Sequence, residues 1–239
     1  MKTIRFLADG AVRSGTIEDD SAAFGGQRWP LASVRLLAPC LPSKIIGVGR
    51  NYADHAAELG NELPKEPLLF LKAPSALNDP QGDIVYPSQS TRVDYEGELA
   101  VVIGRRCHGV ARKDAYDVIA GYTICNDVTA RDLQNSDGQW ARAKGFDTFA
   151  PLGPCIVSGL DPAALRVTTR LNGQIKQDCP TSKLIFDVPA LVEYISAAFT
   201  LEPGDVIATG TPSGIAPMQR GDTVSISIEG IGTLTNRVV

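Results

Sequence analysis

Residues 94–103 are Asp94-Tyr-Glu-Gly-Glu-Leu-Ala-Val-Val-Ile103, an acidic opening followed by an apolar run. This pattern predicts a long β-strand. Because successive side chains of a strand point to opposite faces, we expect Glu96 and Glu98 on the same face, about 7 Å apart. Gly97 leaves the other face without a side chain there, which suits close packing of another backbone.

Two carboxylates at this spacing repel each other unless a positive charge lies between them. Their oxygen atoms suit Mg²⁺, Mn²⁺ or Ca²⁺, and a third carboxylate would complete a set of protein ligands. Asp127 is a candidate, because it follows the apolar segment Gly121-Tyr-Thr-Ile-Cys-Asn126. Two alternatives stay open: the glutamates form a solvated hairpin end, and Asp127 pairs with Arg131.

The rest of the chain also favours a mainly β fold with a few helices. Alternating and apolar segments outnumber helical patterns, and the helices do not alternate with strands as a doubly wound sheet requires. Asn172-Gly173 predicts a hairpin turn within residues 166–176, and Asp187 is placed to cap a helix. We expect a small N-terminal β unit in residues 1–40 and a catalytic domain in residues 41–239.

Composition excludes several classes of protein. The chain has 239 residues and a net charge of −4, without the Lys or Arg runs that a nucleic-acid partner requires. Its apolar runs are shorter than the roughly 20 residues of a membrane span, and the N-terminus lacks an apolar signal core. The five cysteines form no CxxC pair, which argues against a zinc knuckle or a disulfide framework. We expect a soluble, cytoplasmic protein.

Five separate motifs make the sequence similar to the fumarylacetoacetate hydrolase family. They occur in the family's order within residues 44 to about 215. The resemblance implies that family's β-roll catalytic domain. The motifs are Gly49-Arg-Asn-Tyr-Ala-Asp-His55, Asp94-Tyr-Glu-Gly-Glu-Leu-Ala100, Asn126-Asp-Val-Thr-Ala-Arg-Asp132, Ala143-Lys-Gly-Phe-Asp147 and Thr209-Gly-Thr-Pro-Ser-Gly214.

The resemblance also implies a role for each matched residue. Metal ligands, groups around the metal and substrate-binding groups are all represented. The metal, Mg²⁺ or Mn²⁺ with Ca²⁺ as a further possibility, is held by Glu96, Glu98 and Asp127; Lys144 and Thr148 lie around it; Arg131 and Gln134 line the substrate side; and Thr211 binds a substrate carboxylate. Two alternatives remain: Lys144 is a surface lysine, and Arg131 pairs with Asp132 or Asp127.

His55 and Glu58 are the candidate acid–base pair. At i and i+3 of a short helix from Ala53 to Leu59, both side chains share one face, so the carboxylate can orient the imidazole. The alternative is an exposed surface pair. The resemblance implies a lid that closes over the metal, with His55, Glu58 and Lys144 as the catalytic residues.

The chain lacks the large N-terminal domain of the founding hydrolase, so fumarylacetoacetate itself is a doubtful substrate. The short form resembles enzymes that act on small 2-oxo acids. We expect a Mg²⁺- or Mn²⁺-dependent hydrolase that cleaves a C–C bond of a 2,4-dioxo acid such as an acylpyruvate or fumarylpyruvate. The alternatives are a 2-hydroxyhepta-2,4-diene-1,7-dioate isomerase and an oxaloacetate decarboxylase or tautomerase. A non-catalytic metal-binding β protein is a remote further alternative. The resemblance also implies a homodimer.

Overall fold

A computed structural model describes residues 1–58 and 62–239, and within them the chain is mainly β, as predicted. The strands are β1 (Lys2–Ala8), β2 (Ala11–Glu18), β3 (Ser21–Phe24), β4 (Gln27–Pro30), β5 (Arg35–Leu37), β6 (Ile45–Gly49), β7 (Leu68–Lys72), β8 (Leu77–Asn78), β9 (Asp83–Ile84), β10 (Val93–Asp94), β11 (Gly97–Ile103), β12 (Ile119–Asn126), β13 (Thr129–Ala130), β14 (Ala150–Val157), β15 (Arg166–Leu171), β16 (Gln174–Pro180), β17 (Val206–Ala208), β18 (Pro217–Met218), β19 (Thr223–Ile228) and β20 (Gly232–Val238). The α-helices are α1 (Ala53–Glu58), α2 (Arg131–Ser136), α3 (Ala141–Gly145) and α4 (Val188–Ala198). Short 3₁₀ helices cover Leu31–Ser33, Pro74–Ala76, Arg112–Val118 and Thr181–Lys183.

The described strands form three sheets. The largest has the order β4-β3-β2-β1-β14-β12-β11-β17-β6-β7, with β5 added to β1 and β8 to β14. A second sheet has the order β16-β15-β19-β20-β9, and a small third sheet consists of β13, β10 and β18. The N-terminal strands therefore continue the large sheet, because β1 pairs with both β2 and β14.

The core lies between the large sheet and the five-stranded sheet, where β11, β12 and β14 pack against β15, β19 and β20. Strand β11 is buried along its whole length. Gly97 is required at its start, because a Cβ there would lie 2.2 Å from the Oγ1 of Thr169 and 3.2 Å from a side-chain carbon of Ile226. A close approach at this glycine was predicted, but side chains of the five-stranded sheet, and not another backbone, fill the space.

The prediction of one continuous strand over residues 94–103 was wrong. The chain leaves the three-stranded sheet after Asp94 and enters the large sheet at Gly97, so that Tyr95 and Glu96 belong to neither strand. The N–H of Glu96 donates to the side-chain oxygen of Asn126 at 3.0 Å. A side chain 30 residues away along the chain therefore takes the place of a strand partner at the break.

Other local predictions agree with the structure. Strands β15 and β16 form the hairpin that turns at Asn172-Gly173. Asp187 is the N-cap of α4, and its carboxylate accepts a hydrogen bond of 2.9 Å from the N–H of Ala190. Helix α1 is described from Ala53 to Glu58, whereas its predicted end at Leu59 and Gly60 lies outside the described residues. None of the helices described is both long and apolar enough to span a membrane.

Candidate active site

The register of the central strands brings the acidic residues together. Gly97 of β11 pairs with Asn126 of the antiparallel β12. Glu96 and Asp127 each lie one residue beyond this pair, and the N–H of Asp127 donates to the carbonyl of Glu96 at 2.9 Å. Strand β17 runs antiparallel to β11 on its other side, so the loop that begins at Thr209 reaches the same end of the sheet.

The cluster consists of Glu96, Glu98 and Asp127, all buried, with one carboxylate oxygen from each within 4.8 Å of the others. Among the described residues, Glu98 accepts one hydrogen bond, of 2.9 Å, from the N–H of Gly210, and it has no cationic partner. Burial, reinforced by the charges of Asp127 and Glu96, raises the pKa of Glu98 well above its ordinary value. Three converging carboxylates, one of them without a counter-charge, fit a hard divalent cation such as Mg²⁺ or Mn²⁺.

Lys144, near the end of α3, lies against two of these carboxylates. Its Nζ atom is 2.7 Å from Glu96 Oε2 and 2.5 Å from Asp127 Oδ2, and its side chain is 2% exposed. Burial favours the neutral amine, but Asp127 and Glu96 outweigh this effect and raise the pKa of Lys144. Lys144 is therefore a buried cation that stabilises two candidate metal ligands, and the alternative of a surface lysine was wrong.

Arg131 begins α2 and is bound on three sides. Its Nε atom donates to Asp94 at 2.9 Å, its Nη2 atom to Glu96, and its Nη1 atom to Gln134 at 2.5 Å. It pairs with neither Asp127 nor Asp132, so both alternative partners were wrong. Burial alone would raise the pKa of Glu96, but Lys144 and Arg131 hold it far below its ordinary value.

His55 and Glu58 form the predicted pair on α1. The Nδ1 atom of His55 lies 3.2 Å from Glu58 Oε2, and the imidazole is 5% exposed. The other oxygen of Glu58 accepts a 3.0 Å hydrogen bond from the N–H of Gly214. The pair is thus attached to the Thr209–Gly214 loop and is not a freely exposed surface pair. The contact at Nδ1 leaves Nε2 as the ring nitrogen that is not bound to Glu58.

The hydroxyls of Thr211 and Thr148 both have partners within the protein. Thr211 lines the cavity, and its role in binding a substrate carboxylate stays a prediction. The hydroxyl of Thr211 donates to the carbonyl of Gly97 at 3.0 Å and accepts from Gln177 at 2.7 Å, so it would have to give up the Gly97 bond to donate to a substrate. Thr148 does not join the cluster. It has a positive φ of 70°, and its hydroxyl accepts the N–H of Val85 at 2.9 Å.

Lys72 is a site residue that the sequence prediction missed. It ends β7 with a fully buried side chain, and its Nζ atom lies 2.5 Å from Asp127 Oδ1 and 3.1 Å from the carbonyl of Val128. Asp127 is therefore held by a lysine at each oxygen. Burial lowers the pKa of Lys72, although Asp127 acts in the opposite direction. In the sequence, a lysine after the apolar run Leu68-Leu-Phe-Leu71 is typical of a strand that ends in solvent, so no local signal identified it.

These residues surround a cavity of about 430 Å³. Its wall combines the acidic cluster, several cations and an aromatic pair, Phe70 and Trp140, whose rings meet edge to face. The lining residues are Val48, Gly49, Arg50, His55, Phe70, Arg92, Glu96, Glu98, Asp127, Arg131, Gln134, Asn135, Trp140, Lys144 and Thr211. The cavity thus brings together all the predicted site residues except Glu58 and Thr148. Glu58 lies behind His55, with which it pairs.

Comparisons with known proteins agree with this geometry. The family model described as fumarylacetoacetate (FAA) hydrolase C-terminal matches residues 44–239, and one described as Rv2993c-like, N-terminal matches residues 1–39. Oxaloacetate tautomerase YisK of Bacillus subtilis (strain 168) is 44% identical over 230 residues, which cover 90% of this chain and 76% of that protein.

Two solved structures are informative. A 2-hydroxyhepta-2,4-diene-1,7-dioate isomerase from Mycobacterium marinum is 49% identical with a TM-score of 0.94, and the match covers 100% of this chain and 98% of that chain. A maleylpyruvate hydrolase from Sphingobium sp. SYK-6, solved with manganese(II) and pyruvate, is 34% identical with a TM-score of 0.84 over 100% of this chain and 99% of that one. This chain belongs to the fumarylacetoacetate hydrolase family.

Proposed function

We propose that the protein is a divalent-metal-dependent tautomerase or isomerase that interconverts the enol and keto forms of a small 2-oxo acid. The observation that carries the proposal is the position of His55, oriented by Glu58, in the same cavity as the three buried carboxylates. A metal site and a proton carrier that face one cavity are the two parts that such a reaction requires.

Glu96, Glu98 and Asp127 would hold Mg²⁺ or Mn²⁺. When bound, the cation would stabilise negative charge on the 2-oxo oxygen of the substrate. The protein's own contribution begins with Lys144 and Lys72, which neutralise the carboxylate of Asp127 and fix its direction. The carboxylates and both lysines are buried, which strengthens these charge interactions.

His55 would move the proton. In the enol-to-keto direction, C3 of the substrate gains a proton and the enol oxygen loses one, so the net reaction only relocates hydrogen. Because a carboxylate can only accept a hydrogen bond, the contact with Glu58 assigns the proton of neutral His55 to Nδ1 and leaves Nε2 to deliver or accept the proton at the substrate. The hydrogen bond from the N–H of Gly214 holds the Glu58 carboxylate in the position that orients the imidazole ring.

Isomerisation replaces C–C bond hydrolysis, the first expectation from the sequence, as the preferred reaction. The oxaloacetate tautomerase and the heptadiene-dioate isomerase are 44% and 49% identical to this chain, whereas the maleylpyruvate hydrolase is 34% identical. Hydrolysis remains the second candidate because that hydrolase has the same fold. Hydrolysis differs from isomerisation because it consumes water, breaks a carbon–carbon bond and releases pyruvate.

A substrate panel with two readouts tests the proposal. Purified protein with Mg²⁺ or Mn²⁺ is given oxaloacetate, acetylpyruvate, fumarylpyruvate and 2-hydroxyhepta-2,4-diene-1,7-dioate. Ultraviolet absorbance follows the enol, and lactate dehydrogenase with NADH follows pyruvate. We expect accelerated enol loss from oxaloacetate or the diene-dioate without pyruvate above a metal-only control. Pyruvate formed in step with substrate loss would instead indicate a hydrolase or decarboxylase.

A further inference from the structure

Three arginines line the cavity, and two of them are already occupied. Arg131 is bound to Asp94, Glu96 and Gln134. Arg92 holds Asp94 through two nitrogens, Nε at 2.9 Å and Nη2 at 3.1 Å. The positive charges of these two side chains are therefore compensated by carboxylates of the protein itself.

Arg50 is different. Within residues 1–58 and 62–239 its guanidinium takes part in no hydrogen bond and no ion pair, although it is half-buried and lines the same cavity. An uncompensated guanidinium in a partly desolvated wall attracts an anion, and its planar fork of N–H donors matches a carboxylate with two parallel hydrogen bonds.

The backbone at Arg50 is held in an unusual conformation. Its φ angle is 59°, in the left-handed region that residues with a β-carbon rarely adopt. The next residue, Asn51, is fully buried and fixes this geometry: its side chain donates to the carbonyls of Thr209 at 2.8 Å and Phe186 at 3.0 Å, and accepts the N–H of Phe186 at 2.7 Å. Arg50 therefore extends from a rigid support at the end of β6, and a strained conformation held by its surroundings is typical of functional positions.

We propose that Arg50 binds a second, distal carboxylate of the substrate and so selects 2-oxo dicarboxylic acids over monocarboxylic ones. This inference rests on the proposed function, in which the carboxylate and oxo oxygens at the other end of the substrate face the metal site. Oxaloacetate and the heptadiene-dioate, which appear in the names of two relatives, are both dicarboxylic acids.

The test uses oxaloacetate and its 4-methyl ester, which has the same skeleton with the distal carboxylate masked. Enol-to-keto conversion is measured for the wild type and Arg50→Leu at saturating Mg²⁺, and Arg105→Leu, an exposed arginine outside the cavity, is the matched control. For Arg50→Leu we expect kcat/KM to fall about 10- to 100-fold on oxaloacetate, as for a lost hydrogen bond to a charged group, and less than about threefold on the ester. Arg105→Leu should behave as the wild type on both substrates.

A second variant keeps the test decisive if Arg50→Leu disturbs the fold. Arg50→Asn should show the same selectivity, because asparagine tolerates the left-handed backbone even if leucine does not. Equal losses on the two substrates, or a wild type without preference for oxaloacetate, would overturn the proposal.

Failure of the proposed function would be seen separately. If the wild type neither accelerates tautomerisation nor releases pyruvate, oxaloacetate and the ester serve as unreacted ligands in calorimetric titrations of the Mg²⁺-loaded protein. Tighter binding of oxaloacetate by the wild type, lost in Arg50→Leu, would then still support the role of Arg50. Equal binding of the two ligands would overturn it.

Discussion

At the scale of single residues, the site depends on an imbalance of charge. Four buried carboxylates lie beside three buried basic side chains, and Arg92 also binds one of the carboxylates, Asp94. Glu98 is the carboxylate without a cationic partner among the described residues. A buried ion without a partner is costly, so the cluster favours either a proton or a metal ion at this point. The carboxylates are Asp94, Glu96, Glu98 and Asp127, and the cations are Lys72, Arg131 and Lys144.

Removal of a proposed ligand should remove the metal. We predict that Glu96→Ala, Glu98→Ala and Asp127→Ala each abolish Mg²⁺ binding and activity, because each carboxylate contributes an oxygen to the same point. Calorimetric titration with Mg²⁺ measures this, with Asp117→Ala, an exposed carboxylate on the 3₁₀ helix before β12, as the control. Parental affinity in any two of the three variants would end the assignment of the site.

Lys72 should act on the metal through Asp127. Lys72→Met removes one of the two ammonium groups that hold this carboxylate, and the loss of a group that orients a metal ligand typically costs about 10- to 100-fold in metal affinity. We expect that loss in a Mg²⁺ titration, together with recovery of much of the rate at high Mg²⁺. Lys65→Met, on an exposed lysine, is the control. A lower rate with unchanged Mg²⁺ affinity would argue against this positioning role.

The raised pKa of Glu98 predicts a pH dependence of stability. A raised carboxyl pKa means that the folded, metal-free protein binds this proton more tightly than the unfolded chain does. The resulting stabilisation of the folded state is complete below the ordinary pKa of 4.5 and is lost as the pH rises through the raised value. A bound cation requires the carboxylate form and removes this loss. The gain in Tm on addition of Mg²⁺ should therefore grow from about pH 5 to about pH 8. Thermal unfolding at several pH values measures it, and a gain that shrinks with rising pH would contradict the argument.

At the scale of elements, the sequence predicted strands and turns better than their interruptions. Alternation runs through residues 94–103 without a gap, and the break at Tyr95 and Glu96 depends on the side chain of Asn126. No pattern within the strand can encode a partner contributed by the next strand along the chain. The hairpin at Asn172-Gly173 and the cap at Asp187 were predictable because their causes are local.

The edge strand β7 predicts how two copies of the chain would associate. It ends the large sheet and exposes Leu68 and Leu71, whereas β4 at the opposite end presents the polar residues Gln27 and Arg28. An exposed apolar edge invites pairing with another chain, so we propose a two-fold homodimer formed at β7.

Light scattering should find a species of twice 25.4 kDa at micromolar concentration. We expect Leu71→Lys to weaken the dimer, whereas Ile175→Lys, on the exposed β16 strand of the other sheet, should not. A monomer for the wild type would contradict the homodimer, and an unchanged Leu71→Lys dimer would move the interface away from β7.

At the scale of the whole molecule, the site is assembled from segments that are distant in sequence. The family resemblance predicted that Glu96, Glu98, Asp127, His55 and Lys144 converge, and the structure places all five around one cavity. Lys72 was not predicted as a site residue, because its role comes from Asp127, which lies opposite it in space. Arg50 was not predicted either, because only the fold shows that it lines the cavity. The prediction that Thr148 lies near the metal was wrong because proximity in sequence to Lys144 does not determine where the side chain of Thr148 points.

The most direct test of the account is the rate of enol-oxaloacetate conversion by His55→Ala at saturating Mg²⁺, measured by stopped-flow absorbance beside the wild type. Loss of a general acid–base group typically costs about 10²- to 10⁴-fold, and we predict a fall in kcat of this size with Mg²⁺ affinity within about threefold of the parent. Glu58→Gln should do nearly as much harm, because it keeps the shape but removes the charge that orients the imidazole. His108→Ala, on the exposed second histidine, should match the wild type. Parental rates in both His55→Ala and Glu58→Gln would contradict the account, because the proton would then have to be carried by another group.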